Sequence, residues 1–263
     1  MSETNDIRDG VRLVGDPAPV SLIEIARPRA RNALDVAAVA ALGAAVGAAD
    51  DDPDVRCIVI TGAEGHFSAG SDIKEMHRLG FSCLRDPRRV AGWTRLEHVA
   101  TPMIAAVDGM ALGAGFELAL LADFIVCSAT ARFGLPETKL GVLPGDGGTQ
   151  RLPRLIGVNA ALRLILTGEI VAADVAVRLG IAEPAAQGEG ARDAALRFAG
   201  MIAANAPLAT RAVKATVRRG AALPLADGLA LEADALSKLF ASDDQSEGMA
   251  AFVEKRPAVF RGS

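Results

Sequence analysis

Several short apolar runs constrain this chain most: they are too brief for helices and almost unbroken by polar residues. Residues 55–61 read V-R-C-I-V-I-T, residues 103–107 read M-I-A-A-V, and residues 124–128 read F-I-V-C-S. A strand with one solvated face alternates apolar and polar residues, whereas a strand buried on both faces of a parallel sheet does not. Together with residues 20–26, V-S-L-I-E-I-A, these runs alternate with helical stretches near 36–49, 73–79 and 88–99. The alternation predicts an α/β core of βαβ-type units, with one more very short strand at 131–133. Asp35 and Asp72 are placed to cap the helices that follow them, and Pro28 bars helix in the basic turn at 27–32. From residue 149 the pattern turns almost wholly helical, near 149–156, 160–166, 172–179, 191–205, 208–219 and 225–240, with a short helix before Pro257. This half is expected to add no sheet, and instead to cover the core or meet another subunit.

A chain of 263 residues, 51% apolar and 23% charged, can bury one large core. A net charge of −4 with dispersed signs is a poor match to non-specific nucleic-acid binding. The basic groups Arg27/Arg29/Arg31, Arg85/Arg88/Arg89 and Arg218/Arg219 are short and separate, so they are expected as solvated faces, one of which could serve a phosphate-bearing ligand. Cys57, Cys83 and Cys127 have unrelated spacings and are expected to be reduced. His66, His77 and His98 form no metal-ligand pattern. Residues 1–10 have no apolar signal-peptide core, and no apolar run reaches the ~20 residues of a membrane span. A soluble, cytoplasmic protein is expected.

Three Gly-rich loops follow strand ends, at 67–76, 113–117 and 135–151. Residues 111–121, A-L-G-A-G-F-E-L-A-L-L, read as a helix carrying one carboxylate, Glu117. Its helical neighbours Gly113, Ala114, Leu120 and Leu121 cannot pair with a charge, and burying an unpaired carboxylate is costly. The small residues before it would let a ligand approach backbone N–H groups where negative charge is favoured. A place for a developing anion beside a lone carboxylate outlines a reaction centre; the alternative is a glutamate that only complements its own helix dipole. No phosphate loop, dinucleotide fingerprint or G-x-S-x-G elbow is present, and Ser68 and Ser71 have no evident His/Asp partners.

In this order and spacing the loops resemble the crotonase superfamily, the enoyl-CoA hydratase/isomerase family. The resemblance runs from I-E-I-A-R-P at 23–28 to F-V-E-K-R at 252–256 and is most specific at 69–76 and 145–151. A glutamate at both catalytic positions makes the chain most like the enoyl-CoA hydratases. The resemblance implies an α/β crotonase-like spiral of ββα units over residues 1–190. A C-terminal helical region, 191–263, would cap the core and build a homotrimer or a homohexamer made of two trimers. It implies syn addition of water across the C2=C3 bond of a trans-2-enoyl-CoA to give a 3-hydroxyacyl-CoA. CoA is then part of the substrate, no cofactor or metal is needed, and neither nucleic acid nor membrane is a partner. The backbone N–H groups of Ser71 and Ala114 would form the oxyanion hole. Glu117 would orient and activate water, and Glu137 would give a proton to C2. Ala69, Asp72, Ile73 and Lys74 would line the CoA side, the Arg29–Ala30 turn would border adenine and phosphates, and Lys255 would approach the CoA phosphates. Residues 79–95 would shape the acyl pocket. Read alone, Asp72 is a helix cap, Lys74 a solvated residue and Glu137 a loop carboxylate; their joint spacing is what assigns them.

One residue departs from the pattern. Asp146 stands where hydratases often carry a small neutral residue, and it is expected to cap the helix through Thr149 and Arg151. The alternative is a third carboxylate near the acyl chain, as in dienoyl-CoA isomerase relatives, which keeps double-bond isomerisation or another thioester-enolate reaction open. A non-catalytic protein on the same fold, including an RNA binder, is disfavoured by the two glutamates and the acidic charge.

Overall fold

The computed structural model describes residues 8–16 and 18–263, so most of the N-terminal signal-peptide reading lies outside the described residues. The main sheet has six strands: β1 (Val11–Val14), β2 (Val20–Ile25), β3 (Cys57–Gly62), β4 (Met103–Val107), β6 (Phe124–Cys127) and β9 (Glu183–Pro184), in the order β1-β2-β3-β4-β6-β9. Only β1 runs antiparallel to its neighbour. The unbroken apolar runs have the predicted cause. Ile58, Ile60, Met103, Ala105 and Val107 point into one core, while Cys57, Val59, Ile104 and Ala106 point into another. Successive side chains leave opposite faces of a strand, so both faces need apolar residues.

The first core is roofed by α1 (Val36–Asp51) and α3 (Pro87–Glu97), and α2 (Ile73–Leu79) lies between them in sequence. These two helices pack very closely. A Cβ on Gly92 would stand 2.5 Å from the Val39 carbonyl oxygen, and one on Gly43 would stand 2.5 Å from the Gly92 Cα. The second core is covered by α8 (Ala191–Ala203), whose Ala191, Ala194, Ala195 and Ala199 are wholly buried. The helix that opens the C-terminal region therefore packs directly on the sheet.

A smaller layer runs beside the main sheet: β5 (Met110–Leu112), β7 (Arg132–Gly134) and β8 (Val171–Ala172), in the order β5-β7-β8. Parallel bridges Ser68↔Ala111 and Leu34↔Ser71 extend it across two further segments. Each main-sheet strand from β2 to β6 is thus followed by a pairing segment in this layer and then by a helix. The sequence passes through β2, Leu34 and α1; then β3, Ser68 and α2; then β4, β5 and α4 (Ala114–Ala119); then β6, β7 and α5 (Gly148–Ile156). This is the spiral of ββα units that the resemblance implies.

Several expectations change. Pro28 does not exclude helix: it opens a 3₁₀ turn, Pro28–Ala30, at a position where the missing N–H is not needed. Residues 111–121 are not one helix, because β5 comes first, Gly113 turns the chain with φ +50°, and α4 follows with six residues. The second half does add sheet, through β8 and β9, each two residues long and too short for a periodicity to register. Then come α6 (Val158–Thr167), α7 (Ala173–Arg178), α9 (Pro207–Gly220), α10 (Leu225–Leu239) and α11 (Asp243–Glu254). No residue of α10 is buried.

Candidate active site

The site forms where the second layer meets the first turns of its helices. Leu34 holds the 70–72 segment from one side: its N–H donates to the Gly70 carbonyl and its own carbonyl accepts from the Asp72 N–H. In such a parallel bridge the middle residue's N–H points the other way, so the Ser71 N–H faces away from Leu34. On that side lies the end of β5. Gly70, at φ +101°, comes so near that a Cβ would be 2.7 Å from the Leu112 carbonyl oxygen and 3.6 Å from the Ala114 nitrogen. Ala114 is the first residue of α4, so its N–H has no acceptor within its own helix. Two backbone donors from different ββα units thus border one cavity of about 170 Å³.

Glu117 sits on α4 and is 1% exposed. It is not unpaired, as its helical neighbours suggested. Its Oε1 accepts the N–H groups of Asp146 (2.9 Å) and Gly148 (2.7 Å), from a turn thirty residues away in the chain. A glycine at 148 leaves room for this, since a Cβ there would lie 2.9 Å from the Leu135 Cδ1 and 3.0 Å from Glu117 Oε1, so one of those side chains would have to shift. Burial pushes the Glu117 carboxyl up from 4.5 to about 7; the charges of Asp146 and Glu137 add to the rise, and the two N–H donors oppose it.

Glu137 opens a 3₁₀ turn, Glu137–Leu140, directly after Pro136. Its Oε2 is buried without a hydrogen-bond partner among the described residues. Its other oxygen crowds Gly113, where a Cβ would be 2.9 Å away. Burial raises its proton affinity too, with the Asp146 charge contributing.

Asp146 overturns the capping expectation. The residue before α5 is Gly147, and no side chain caps that helix. The Asp146 carboxylate pairs instead with Arg89 of α3, both side chains being about nine-tenths buried. Burial raises its proton affinity and Arg89 opposes the rise. The arginine triplet 85/88/89 is therefore not uniformly a solvated face. Arg89 was legible in principle: with Gly92, Trp93 and Leu96 it makes the buried stripe of α3, a charge at apolar spacing. Arg151 was missed as well; it donates to the Asp146 carbonyl (2.7 Å) and to Glu97 (2.7 Å).

Among the predicted site residues, Ala69, Ser71, Ile73, Ala114, Glu117, Glu137 and Asp146 line the cavity. So do Met76, Leu84, Leu140, Val142 and Leu143, which make an apolar wall and include one residue of the 79–95 stretch. Arg29, Ala30, Asp72, Lys74 and Lys255 are not in the wall. Asp72 caps α2 through the N–H groups of Lys74 and Glu75 and pairs with Arg27. Arg29, Lys74 and Lys255 are exposed, and Arg31, the residue after the Arg29–Ala30 turn, adjoins the site through its carbonyl, which accepts from the Ala69 N–H (3.0 Å). Cys57, Cys83 and Cys127 are buried free thiols. Among the described residues, no group of three or more His, Cys, Asp or Glu is placed to hold a metal.

A family model described as enoyl-CoA hydratase/isomerase matches residues 15–263. A probable enoyl-CoA hydratase of Rhizobium meliloti is 45% identical, the match covering 95% of this chain and 97% of that protein. The 2,3-dehydroadipyl-CoA hydratase of Escherichia coli is 40% identical, covering 92% and 95%. Among solved structures, an enoyl-CoA hydratase from Bacillus anthracis superposes with a TM-score of 0.91 at 34% identity, covering 97% of this chain and 100% of that one.

Proposed function

The chain belongs to the enoyl-CoA hydratase/isomerase family, and from that premise we propose that it adds water across the C2=C3 bond of a trans-2-enoyl-CoA to form a 3-hydroxyacyl-CoA. One observation carries the reading: a buried carboxyl, Glu117, and a half-buried one, Glu137, both of raised proton affinity, share a cavity with two backbone N–H groups that have no acceptor among the described residues. Hydration of a conjugated thioester develops negative charge on the thioester oxygen, and the N–H groups of Ser71 and Ala114 are aimed where that oxygen would sit. One such donor is worth about 2.7–4 kcal/mol in the transition state. The water needs a base near C3, and C2 needs a proton. Glu117, held by two N–H groups, is the carboxylate that orients and activates the water. Glu137, with Oε2 unpartnered and its other oxygen beside Gly113, is the acid that protonates C2. The CoA portion is part of the substrate and no cofactor enters these steps. Arg29, Ala30, Asp72, Lys74 and Lys255 stay proposed for the CoA moiety outside the cavity. We further propose a homotrimer or homohexamer. Among the described residues no helix is long and apolar enough to cross a membrane.

The third carboxylate in the wall, Asp146, favours a second reading, double-bond isomerisation; its engagement by Arg89 ranks that reading below hydration. The purified protein with crotonyl-CoA is expected to bleach the conjugated enoyl-thioester absorbance, and in H₂¹⁸O the product gains one labelled oxygen. An isomerase leaves the acyl mass unchanged. Glu117→Gln and Glu137→Gln are each expected to lower kcat by about two orders of magnitude or more with modest change in KM. Near-normal kcat in either variant removes that residue from the mechanism.

A further inference from the structure

Asp146 is held at three points, one on Glu117 and two that lead to α3. Its N–H donates to Glu117 Oε1, its carbonyl accepts from Arg151, and its carboxylate pairs with Arg89. Arg151 is in turn anchored by Glu97. Arg89 and Glu97 both belong to α3, so one helix fixes the 145–148 turn from two sides. The turn itself is three glycines and an aspartate: Gly147 takes φ +105°, and a Cβ on it would collide with Arg151. Such a turn needs outside contacts to define its position. Arg89 is 8% exposed and lies 5.7 Å from the centre of the Trp93 ring, so its own place is set by packing.

Resting on the hydratase reading of Glu117, we propose that Arg89, acting through Asp146, is a positioning residue: the ion pair clamps the turn whose two N–H groups hold the Glu117 carboxylate in line with the water. The pair also sets the charge that Glu117 faces. The charged groups around Glu117 are Asp146 from the turn and Glu137 from the 3₁₀ turn, with Arg89 and Glu97 of α3 and Arg151 of α5 behind Asp146. Replacing Asp146 by the isosteric, neutral Asn keeps its N–H on Glu117, removes one like charge and leaves Arg89 in place. Glu117 then ionises more readily, and the sign of the change is fixed.

The experiment measures kcat and KM against pH with crotonyl-CoA for the parent, Asp146→Asn, Arg89→Met and Arg89→Lys. It is paired with pH-difference infrared spectra of the carboxyl bands, assigned to Glu117 by its loss in Glu117→Gln. Asp146→Asn is expected to move the acid limb of kcat and the Glu117 infrared titration down together, by about one pH unit. Arg89→Met is expected to lower kcat about tenfold to a hundredfold with KM little changed, and Arg89→Lys to recover most of it. If Arg89→Met does not fold, the Asp146→Asn titration decides. A titration superimposable on the parent's overturns the proposal, as does an equal kcat in Arg89→Met. A parent that turns over no enoyl-CoA sinks the hydratase reading alone, and the infrared titration still tests the clamp.

Discussion

At the residue scale, the clearest consequence of the site is the cost of its own carboxylate. Glu117 has its carboxyl raised from 4.5 to about 7, chiefly by burial. Below pH 4.5 both the folded and the unfolded chain carry the proton. Between 4.5 and about 7 the unfolded chain releases it while the folded chain keeps it, so folding stability falls across that window. Above it the deficit is constant, about 3 kcal/mol. Glu117→Gln keeps an acceptor for the Asp146 and Gly148 N–H groups and carries no charge. It is therefore expected to gain stability relative to the parent as pH rises from 4.5 to 7. Urea unfolding at pH 5 and pH 8 measures this, and a gap that does not widen with pH contradicts the buried-charge account. The base role has the matching kinetic sign, since kcat should fall as pH drops below about 7 and Glu117 takes its proton. The sequence exposed Glu117 through its apolar helical neighbours, but it could not reveal the N–H groups that satisfy it. Those come from residues 146 and 148, and hydrogen bonds between distant segments leave no local pattern.

At the scale of elements, the long parallel strands were legible because burial on both faces writes an unbroken apolar run. The two-residue strands β8 and β9 were not, since two residues hold no period. β5 hid inside what read as a helix, because A-L-G-A-G-F fits either state until Gly113 turns the chain. Asp146 was misread for a related reason: an acidic residue before a helix looks like a cap, and only the fold places Arg89 opposite it. The seam between α1 and α3 also comes from the fold. There two glycines let backbone meet backbone, so Gly92→Ala must push the helices apart against the Val39 carbonyl. Overpacking of this kind costs about 1–3 kcal/mol, readable as a lower urea midpoint. Because α3 also carries Arg89 and Glu97, the shift should reach the 145–148 turn and lower kcat as well. A Gly92→Ala protein with parental stability would mean that the seam relaxes freely.

At the scale of the whole molecule, the two cores account for the sheet, α1, α3 and α8, while the last helices remain unexplained by a single chain. α10 buries no residue, and Leu225 on it is 78% exposed. On α11, Phe252 and Val253 are 85% and 79% exposed. Isolated apolar residues on a surface are ordinary, but successive helices presenting Leu, Phe and Val to water call for a covering surface. The sequence pointed the same way, because an Ala- and Leu-rich helical layer is more apolar than a solvated one should be. Another copy of the chain, related by rotational symmetry, is the cover we propose, and it would also bring the carboxyl-terminal Lys255 near a subunit boundary. Light scattering at micromolar concentration is then expected to report three or six chains per particle. Glu substitutions at Phe252 and Val253 test which helix takes part: a drop in particle mass with retained helical content assigns α11 to the interface, and an unchanged mass moves the contact to α9 and α10. A parent protein that scatters as one chain removes the assembly, and those exposed faces would then need another cover.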